Sequence, residues 1–360
     1  MDVENKKSYV IIGGLIIGII AALLSMAGNP ANMGFDITGF IRDTVGALGL
    51  HQDTGAQYIR PELVGLVWGA LILALARGQH KAVGGSSPLV RFVIGFFVTV
   101  GALVFMGDPF RMVLRIAGGD WNAIIGLIGF IVGVAVGVYC LKKGFSFKPA
   151  TVAAKLDSAF APIVKIVLLI LVCAAPAFIV FSDGDGVGAH HAAIIASLIG
   201  GLLVGAIAQQ TKLCMVGTFR DLFMDRKTTM LCGWIAVLVA AFVVNLLTHQ
   251  FQGGVDMQPF AHTDGVWNFL GMGLVGWGCT LLGGDPLRQL VLSGEGNTDA
   301  AVTVIGMAFG AAISENFALA STVSGPTMNG KVAVIIGLIV VLIISGYYIC
   351  GKGCSQEQQE

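Results

Sequence analysis

Two stretches of the sequence, MGDPFRMVLRIAGGDWNA at residues 106–123 and GGDPLRQLVLSGEGNTDA at residues 283–300, share a Gly-Asp-Pro motif followed by an arginine. They align without gaps at a shift of 177 positions. A second pair, GFIRD at residues 39–43 and GTFRD at residues 217–221, recurs at a shift of 178. Two motifs in the same order at nearly the same offset predict that the chain is an internal duplication.

The composition is that of a membrane protein. Hydrophobic residues make up 56% of the chain and charged residues only 12%, against about 25% charged in soluble domains. The net charge of zero gives no electrostatic case for a nucleic-acid partner. Stretches of about 20 apolar residues cross a hydrocarbon core of about 30 Å. We predict ten such spans, at residues 8–27, 60–76, 89–106, 121–141, 161–181, 190–209, 229–248, 265–283, 299–317 and 331–350.

The duplication divides these spans equally, which determines the predicted topology. Residues 1–182 and 183–354 each hold five spans, and residues 355–360 form a polar cytosolic tail. Because five is odd, the second half must enter the membrane inverted relative to the first. With both termini in the cytosol, fifteen Lys and Arg residues lie inside and five outside, as expected for the cytoplasmic (inner) membrane. We therefore predict an all-α polytopic membrane protein with short re-entrant helices and two inverted-topology repeats, an architecture typical of transporters.

The Asp-Pro motifs predict the starts of short helices. An aspartate caps a helix N-terminus, and the proline that follows fits the first helical position. Glycines about two turns later end each helix, which is too short to span and must line a cavity. Helix N-termini attract anions, and the planar guanidinium groups of the nearby arginines bind oxyanions through paired N–H donors. We assign the structural half-helix caps to Asp108, Pro109, Gly284, Asp285, Pro286 and Asn297.

Two cysteines precede the arginine-bearing motifs of the second half. Cys214 lies six residues before Arg220, and Cys279 lies nine residues before Arg288. Their aligned positions in the first half hold Asp36 and Ala102. A soft thiol beside an arginine suits a sulfur- or selenium-bearing anion. Two blander interpretations stay open: the thiols only pack, or arginines only pair with local carboxylates, as in Asp285–Arg288 or Arg220–Asp221.

The stretches QQTKLCMVGTFRD at residues 209–221 and GWGCTLLGGDPLRQLVLSGEGN at residues 276–297 resemble the YeeE/YedE family of membrane proteins. That family includes thiosulfate transporters, and this chain is most similar to its YedE branch of selenium-compound transporters. The resemblance implies an hourglass-like inverted-repeat fold in which path cysteines hand the anion onward by transient S–H contacts. It transfers that role to Cys214 and Cys279. The chain departs from the pattern because no cysteine precedes Cys140, which weakens the case for thiosulfate itself.

We therefore predict a non-enzymatic transporter or channel that moves a small sulfur- or selenium-containing anion inward. No cofactor, metal or nucleic acid is expected, and the partners are the anion, the lipid bilayer and a cytosolic sulfur or selenium carrier protein. The alternative is a membrane accessory or sulfurtransferase-type protein that uses Cys279 as a persulfide carrier. A haem subunit is disfavoured because all six histidines fall in loops or at span ends. The predicted substrate-binding residues are Arg42, Arg111, Cys214, Arg220, Cys279 and Arg288.

Overall fold

The computed structural model describes residues 3–356, and side chains within residues 7–350. This part of the chain holds fourteen α-helices and one small antiparallel sheet, with β1 (Val83–Gly84) paired to β2 (Thr151–Val152). Four helices are short: α2 (Ile37–Ala47), α5 (Pro109–Gly118), α9 (Met215–Asp225) and α12 (Pro286–Gly294). The ten long helices are α1 (Val3–Met26), α3 (Pro61–Ala76), α4 (Pro88–Phe105), α6 (Asn122–Lys142), α7 (Lys155–Ala174), α8 (Ile194–Thr211), α10 (Thr229–Leu247), α11 (Gly265–Leu282), α13 (Thr298–Asn316) and α14 (Met328–Gln356).

The prediction of an all-α polytopic membrane protein is confirmed. Eight helical stretches in the described residues are long and apolar enough to cross a membrane, and three of them join a long helix to the short helix that follows. The long helix α3 has only 16 residues, about 24 Å. The other exception, α13, carries Asp299 and Glu315 near its two ends. Of the predicted tail at residues 355–360, residues 357–360 lie outside the described part of the chain.

The helix α7 departs most from its predicted span. The prediction placed it at residues 161–181, whereas the helix runs from Lys155 to Ala174. The next residue, Ala175, has a left-handed backbone with φ of 42°. Pro176 follows it, and a residue before proline is disfavoured in the helical region. The prediction from hydropathy ended too late because most of the residues after the end of the helix are also apolar.

Helices of the two halves pack in four close pairs: α1 with α10, α3 with α8, α4 with α13, and α6 with α11. Glycines make these contacts close, as expected between membrane helices. A Cβ on Gly133 of α6 would overlap the carbonyl oxygen of Gly273 in α11. The pairs are parallel. In α3 and α8, for example, Gly65 meets Leu198 and, one turn further along both helices, Gly69 meets Leu202. Part of the high glycine content, 51 residues in all, is thereby explained as packing surface.

Candidate half-helix site

The four short helices form two pairs in which the helix starts are tied together. Asp36 caps α2 and Asp108 caps α5, while Cys214 caps α9 and Asp285 caps α12. The cap of one helix also binds the other helix of its pair. The Ile37 N–H of α2 donates to Asp108 Oδ2 at 2.7 Å. In the same way, the Met215 N–H of α9 donates to the Asp285 carboxylate. Each Asp-Pro aspartate therefore satisfies two helix N-termini, one of which the sequence did not predict.

The pair in the first half is buried and fully enclosed around its arginine. Asp36 accepts the Gly39 N–H at 3.1 Å, and its second oxygen lies 3.5 Å from the Arg111 guanidinium. Arg111 also donates to the carbonyl oxygens of Met106 at 2.6 Å and Phe260 at 3.0 Å, and is only 3% exposed. Phe260 belongs to the loop between α10 and α11. Arg111 is therefore committed to protein groups on three sides.

The same loop is fastened by a buried histidine. His262 Nε2 lies 2.8 Å from the Val104 carbonyl oxygen, and the Asp264 N–H donates to its Nδ1 at 3.2 Å. This pattern requires the neutral tautomer with its hydrogen on Nε2. Burial, with a smaller effect of the Arg115 charge, lowers the pKa of His262. The loop therefore covers the first-half pair through a hydrogen bond between a neutral histidine and α4.

The pair in the second half has a thiol where the first half has a carboxylate. Cys214 occupies the position aligned with Asp36, and its Sγ accepts the Gly217 N–H at 3.3 Å. Asp285 accepts the Arg288 N–H at 2.8 Å. The thiol also interacts with the Asp285 carboxylate. A neutral, weakly donating group thus caps α9 without the fixed negative charge that Asp36 brings to α2.

Cys279 lies between the two pairs. It is completely buried in the last turn of α11, and its carbonyl oxygen accepts the Gly284 N–H at 3.0 Å. The thiol is within electrostatic range of three of the four helix caps, Asp108, Cys214 and Asp285. The structure therefore brings together both predicted cysteines and both Asp-Pro aspartates.

A cavity of about 310 Å³ adjoins the second-half pair. Since a water molecule occupies about 30 Å³ of liquid, it has room for a small hydrated anion. Three of its residues are cations, one is a carboxylate and one is the capping thiol. A neighbouring cavity of about 370 Å³ shares Lys212 and Met230 with it and adds Arg77. The lining of the first cavity is Lys212, Cys214, Gly217, Arg220, Asp221, Met230, Gly283, Arg288 and Leu292.

The cations of this cavity all have carboxylate partners. Arg220 pairs with Asp221 at 3.0 Å, as the local-pair interpretation expected. Arg288 does not pair with the Asp285 side chain; its guanidinium lies 3.1 Å from Glu295. The same Glu295 oxygen is 2.8 Å from Lys212 Nζ. Neither Lys212 nor Glu295 was predicted as a site residue. Their contact joins residues more than 80 positions apart in the chain, which no local motif signals.

Two further predicted residues lie away from this cavity. Arg42 pairs with Asp43 at 2.8 Å and lies 3.7 Å from Glu315 of α13. Asn297 was predicted to cap a half-helix, and this is wrong. Its side chain accepts the Ala300 N–H at 3.0 Å as the N-cap of the long helix α13. The half-helix α12 has already ended at Gly294, so Asn297 starts the next element instead.

These features define a polytopic, all-helical membrane protein whose half-helix starts meet beside a cationic cavity. Residues 210–352 match the model of the sulphur transport family. The matched region holds α9 to α13 and most of α14, so this part of the chain is similar to the sulphur transport family. The match does not distinguish the YedE branch from the rest of the family. No curated protein matches the chain.

Proposed function

We propose that the protein moves a small sulfur- or selenium-containing anion inward across the cytoplasmic membrane. The observation that carries this proposal is the cationic cavity that reaches the Cys214 thiol at the start of α9. Lysine and arginine attract an anion, and a thiol donates a hydrogen bond to its soft atom. The sulphur transport family of residues 210–352 supports the same class of substrate.

We further propose that residues 1–182 and 183–354 are inverted repeats with both termini in the cytosol. The parallel helix pairs support this arrangement. If α1 and α3 run in opposite directions through the bilayer, then α8, which is parallel to α3, opposes its repeat partner α1. The pairing is also reciprocal, since α1 packs on α10 as α8 packs on α3. With the Lys and Arg distribution, this orientation puts the cavity on the cytosolic side.

In this proposal the anion meets the buried groups in sequence. Arg42 and Arg111 influence its charge preference on the outer side, and Arg220 and Arg288 do so at the inner cavity. Cys279 and then Cys214 contact its soft atom on the way in. A cytosolic sulfur or selenium carrier receives the anion at the cavity. No cofactor takes part in this scheme.

The persulfide alternative is less consistent with the geometry. A carrier cysteine must meet its protein partner, whereas Cys279 is 0% exposed. A nucleophilic cysteine also needs an adjacent base. The groups in electrostatic range of Cys279 are two carboxylates and a second thiol, and none is a histidine. Transport requires only that a small anion reach the thiol.

The test is uptake of ³⁵S-thiosulfate and ⁷⁵Se-selenite into proteoliposomes that contain the purified protein. The wild type is expected to accumulate at least one anion. Cys279→Ala and Cys214→Ala are expected to slow uptake about 10-fold each, because each removes one hydrogen bond to the anion. The matched control is Cys140→Ala, a buried free cysteine of α6 outside the cavity, with unchanged uptake.

Two results would contradict different parts of this proposal. A wild type that accumulates no anion above empty liposomes would contradict transport. A Cys279→Ala variant with wild-type rates for every anion would contradict the thiol role while leaving transport intact.

A further inference from the structure

Glu295 lies at the C-cap of α12 and holds two of the three cations of the cavity. Its Oε1 is 2.8 Å from Lys212 Nζ and 3.1 Å from Arg288 Nη1, and its Oε2 is 3.4 Å from Arg288 Nη2. The carboxylate therefore sits in the forked, two-cation position that an oxyanion ligand would occupy. It is an anion supplied by the protein itself.

This contact is a feature of the second half alone. In the repeat alignment Glu295 corresponds to Gly118, and Lys212 corresponds to Gly34. Lys212 has a left-handed backbone, with φ of 57°, at the junction of α8 with the capping residues of α9. A lysine is unusual in that conformation, which glycine adopts readily. The aligned Gly34 does not share this left-handed conformation and has no side chain, so the first half has no counterpart of the ion pair.

Hydrogen bonds that do not involve its side chain hold the backbone of Glu295. The Glu295 N–H donates to the Val291 carbonyl at 3.0 Å, and its own carbonyl accepts the Lys81 N–H at 3.0 Å. Its ion-pair partners are partly open to solvent: the Lys212 side chain is 43% exposed and that of Arg288 is 13% exposed. A change of the Glu295 side-chain rotamer would release both cations without breaking these backbone hydrogen bonds.

We propose that Glu295 is a tethered counter-anion that occupies the Lys212–Arg288 position until the transported anion displaces it. This inference rests on the proposed function. The three cations of the cavity have two carboxylate partners: Asp221, which lines the cavity, and Glu295, which binds Lys212 and Arg288. The entering anion must compete with Glu295, so this residue sets the affinity and the charge preference of the site. Displacement leaves one more positive charge to be balanced, which favours a divalent anion over a monovalent one.

The experiment compares anion binding to the wild type, Glu295→Gln and Glu295→Asp by isothermal titration of the full-length protein in detergent. The probes are thiosulfate, which is divalent, and thiocyanate, which is monovalent. Glu295→Gln removes the competing charge and keeps the side-chain size. It is expected to bind thiosulfate about 5- to 30-fold more tightly, from two partly exposed ion pairs, with a smaller gain for thiocyanate. The shorter Glu295→Asp is expected to lie between.

Two controls separate this role from net charge and from folding. Asp225→Asn removes an exposed carboxylate that pairs with Lys227 outside the cavity, and is expected to bind like the wild type. Asp221→Asn raises the cavity charge equally but frees only Arg220, so its thiosulfate gain is expected to be the smaller of the two. Equal gains for Asp221→Asn and Glu295→Gln would overturn the tethered-anion role.

Two other outcomes overturn the inference at different levels. If the wild type binds thiosulfate but Glu295→Gln, at an unchanged melting temperature, binds it equally or more weakly, Glu295 is not a competitor. If the wild type neither binds nor transports any probe, the proposed function itself fails. Glu295→Asp gives the same decision if Glu295→Gln does not fold.

Discussion

The two pairs of half-helices share one backbone plan and differ in what occupies the helix starts. In the first half, Asp36 and Asp108 place two carboxylates at the starts of α2 and α5, and Arg111 is buried against them. In the second half, Cys214 replaces one carboxylate, and Arg288 borders a cavity. The pairs differ in one capping side chain, in the loop over the arginine, and in the Glu295 ion pair, which the second half alone has.

In the proposed function, this difference makes the second half the binding side. A carboxylate at a helix start neutralises the N–H groups and the dipole that would otherwise attract an anion. A thiol accepts the same backbone hydrogen bond but carries no fixed charge. The arginine of the second half is therefore paired with a movable carboxylate, Glu295, instead of the cap itself. In the same proposal the first half is better suited to act as a barrier, since its arginine, Arg111, is buried and bound to protein groups.

The largest expected effect comes from removing the aspartate that links the two helix starts in each pair. Asp285→Ala and Asp108→Ala each remove the cap of one helix and a second hydrogen bond to the start of the paired helix, and a lost cap alone costs about 1 kcal/mol or more. We expect each to lower the free energy of unfolding by about 2–4 kcal/mol, measured by thermal unfolding in detergent.

The comparison variants are Asp285→Asn and Asp108→Asn, because the single amide oxygen of asparagine can still cap one helix but its NH2 group cannot accept the second backbone N–H, so about half of the loss should be restored. Below the melting temperature, Asp285→Ala is also expected to weaken thiosulfate binding, whereas Asp108→Ala is not. Equal binding losses for the two alanine variants would mean that the pairs do not differ in function.

The next effect comes from making the second pair resemble the first. Cys214→Asp puts a second carboxylate beside Asp285, which repels both Asp285 and an entering anion. We expect proteoliposome uptake to fall by about 100-fold, from about 3 kcal/mol of unfavourable charge interaction. Cys214→Ser keeps a neutral cap and serves as the control, with a loss of about 10-fold or less. A Cys214→Asp variant that transports at the Cys214→Ser rate would show that the cap charge is not what separates the halves.

Much of the fold was predictable because hydropathy and caps are local signals. The span predicted at 229–248 is the helix Thr229–Leu247, and Asp108 and Asp285 start their helices as their Asp-Pro motifs indicated. The helices α2 and α9 were missed as elements, although the aligned caps Asp36 and Cys214 carried the signal. The start of α9 was not predicted because cysteine is not a usual N-cap residue.

The site was less predictable than the fold, since its key contacts are tertiary. Arg288 lies three residues from Asp285, and spacing alone suggested that the two side chains pair. In the structure Asp285 is occupied by the backbone of two helix starts, so the guanidinium turns to Glu295 at the other end of α12. The motif shows which groups are present. Which of these groups already have hydrogen-bond or ion-pair partners depends on how α9 packs against α12.

The smallest expected effect concerns the loop that covers the first pair. Because burial lowers the pKa of His262, the folded state binds less proton there than the unfolded chain does. Its contribution to stability is therefore fully present above the ordinary histidine pKa of about 6.5 and is lost as pH falls through the folded-state pKa. Protonation of Nδ1 would displace the Asp264 N–H that it now accepts.

Between pH 7.5 and 5.0 we expect hydrogen exchange in residues 248–264, corrected for the intrinsic rate, to speed up a few-fold. His262→Gln can still donate to Val104 but cannot titrate, so its exchange should not change with pH. If the wild type were equally insensitive, the closure of the first half would not depend on a neutral histidine, and the enclosure of Arg111 would rest on its own carbonyl contacts.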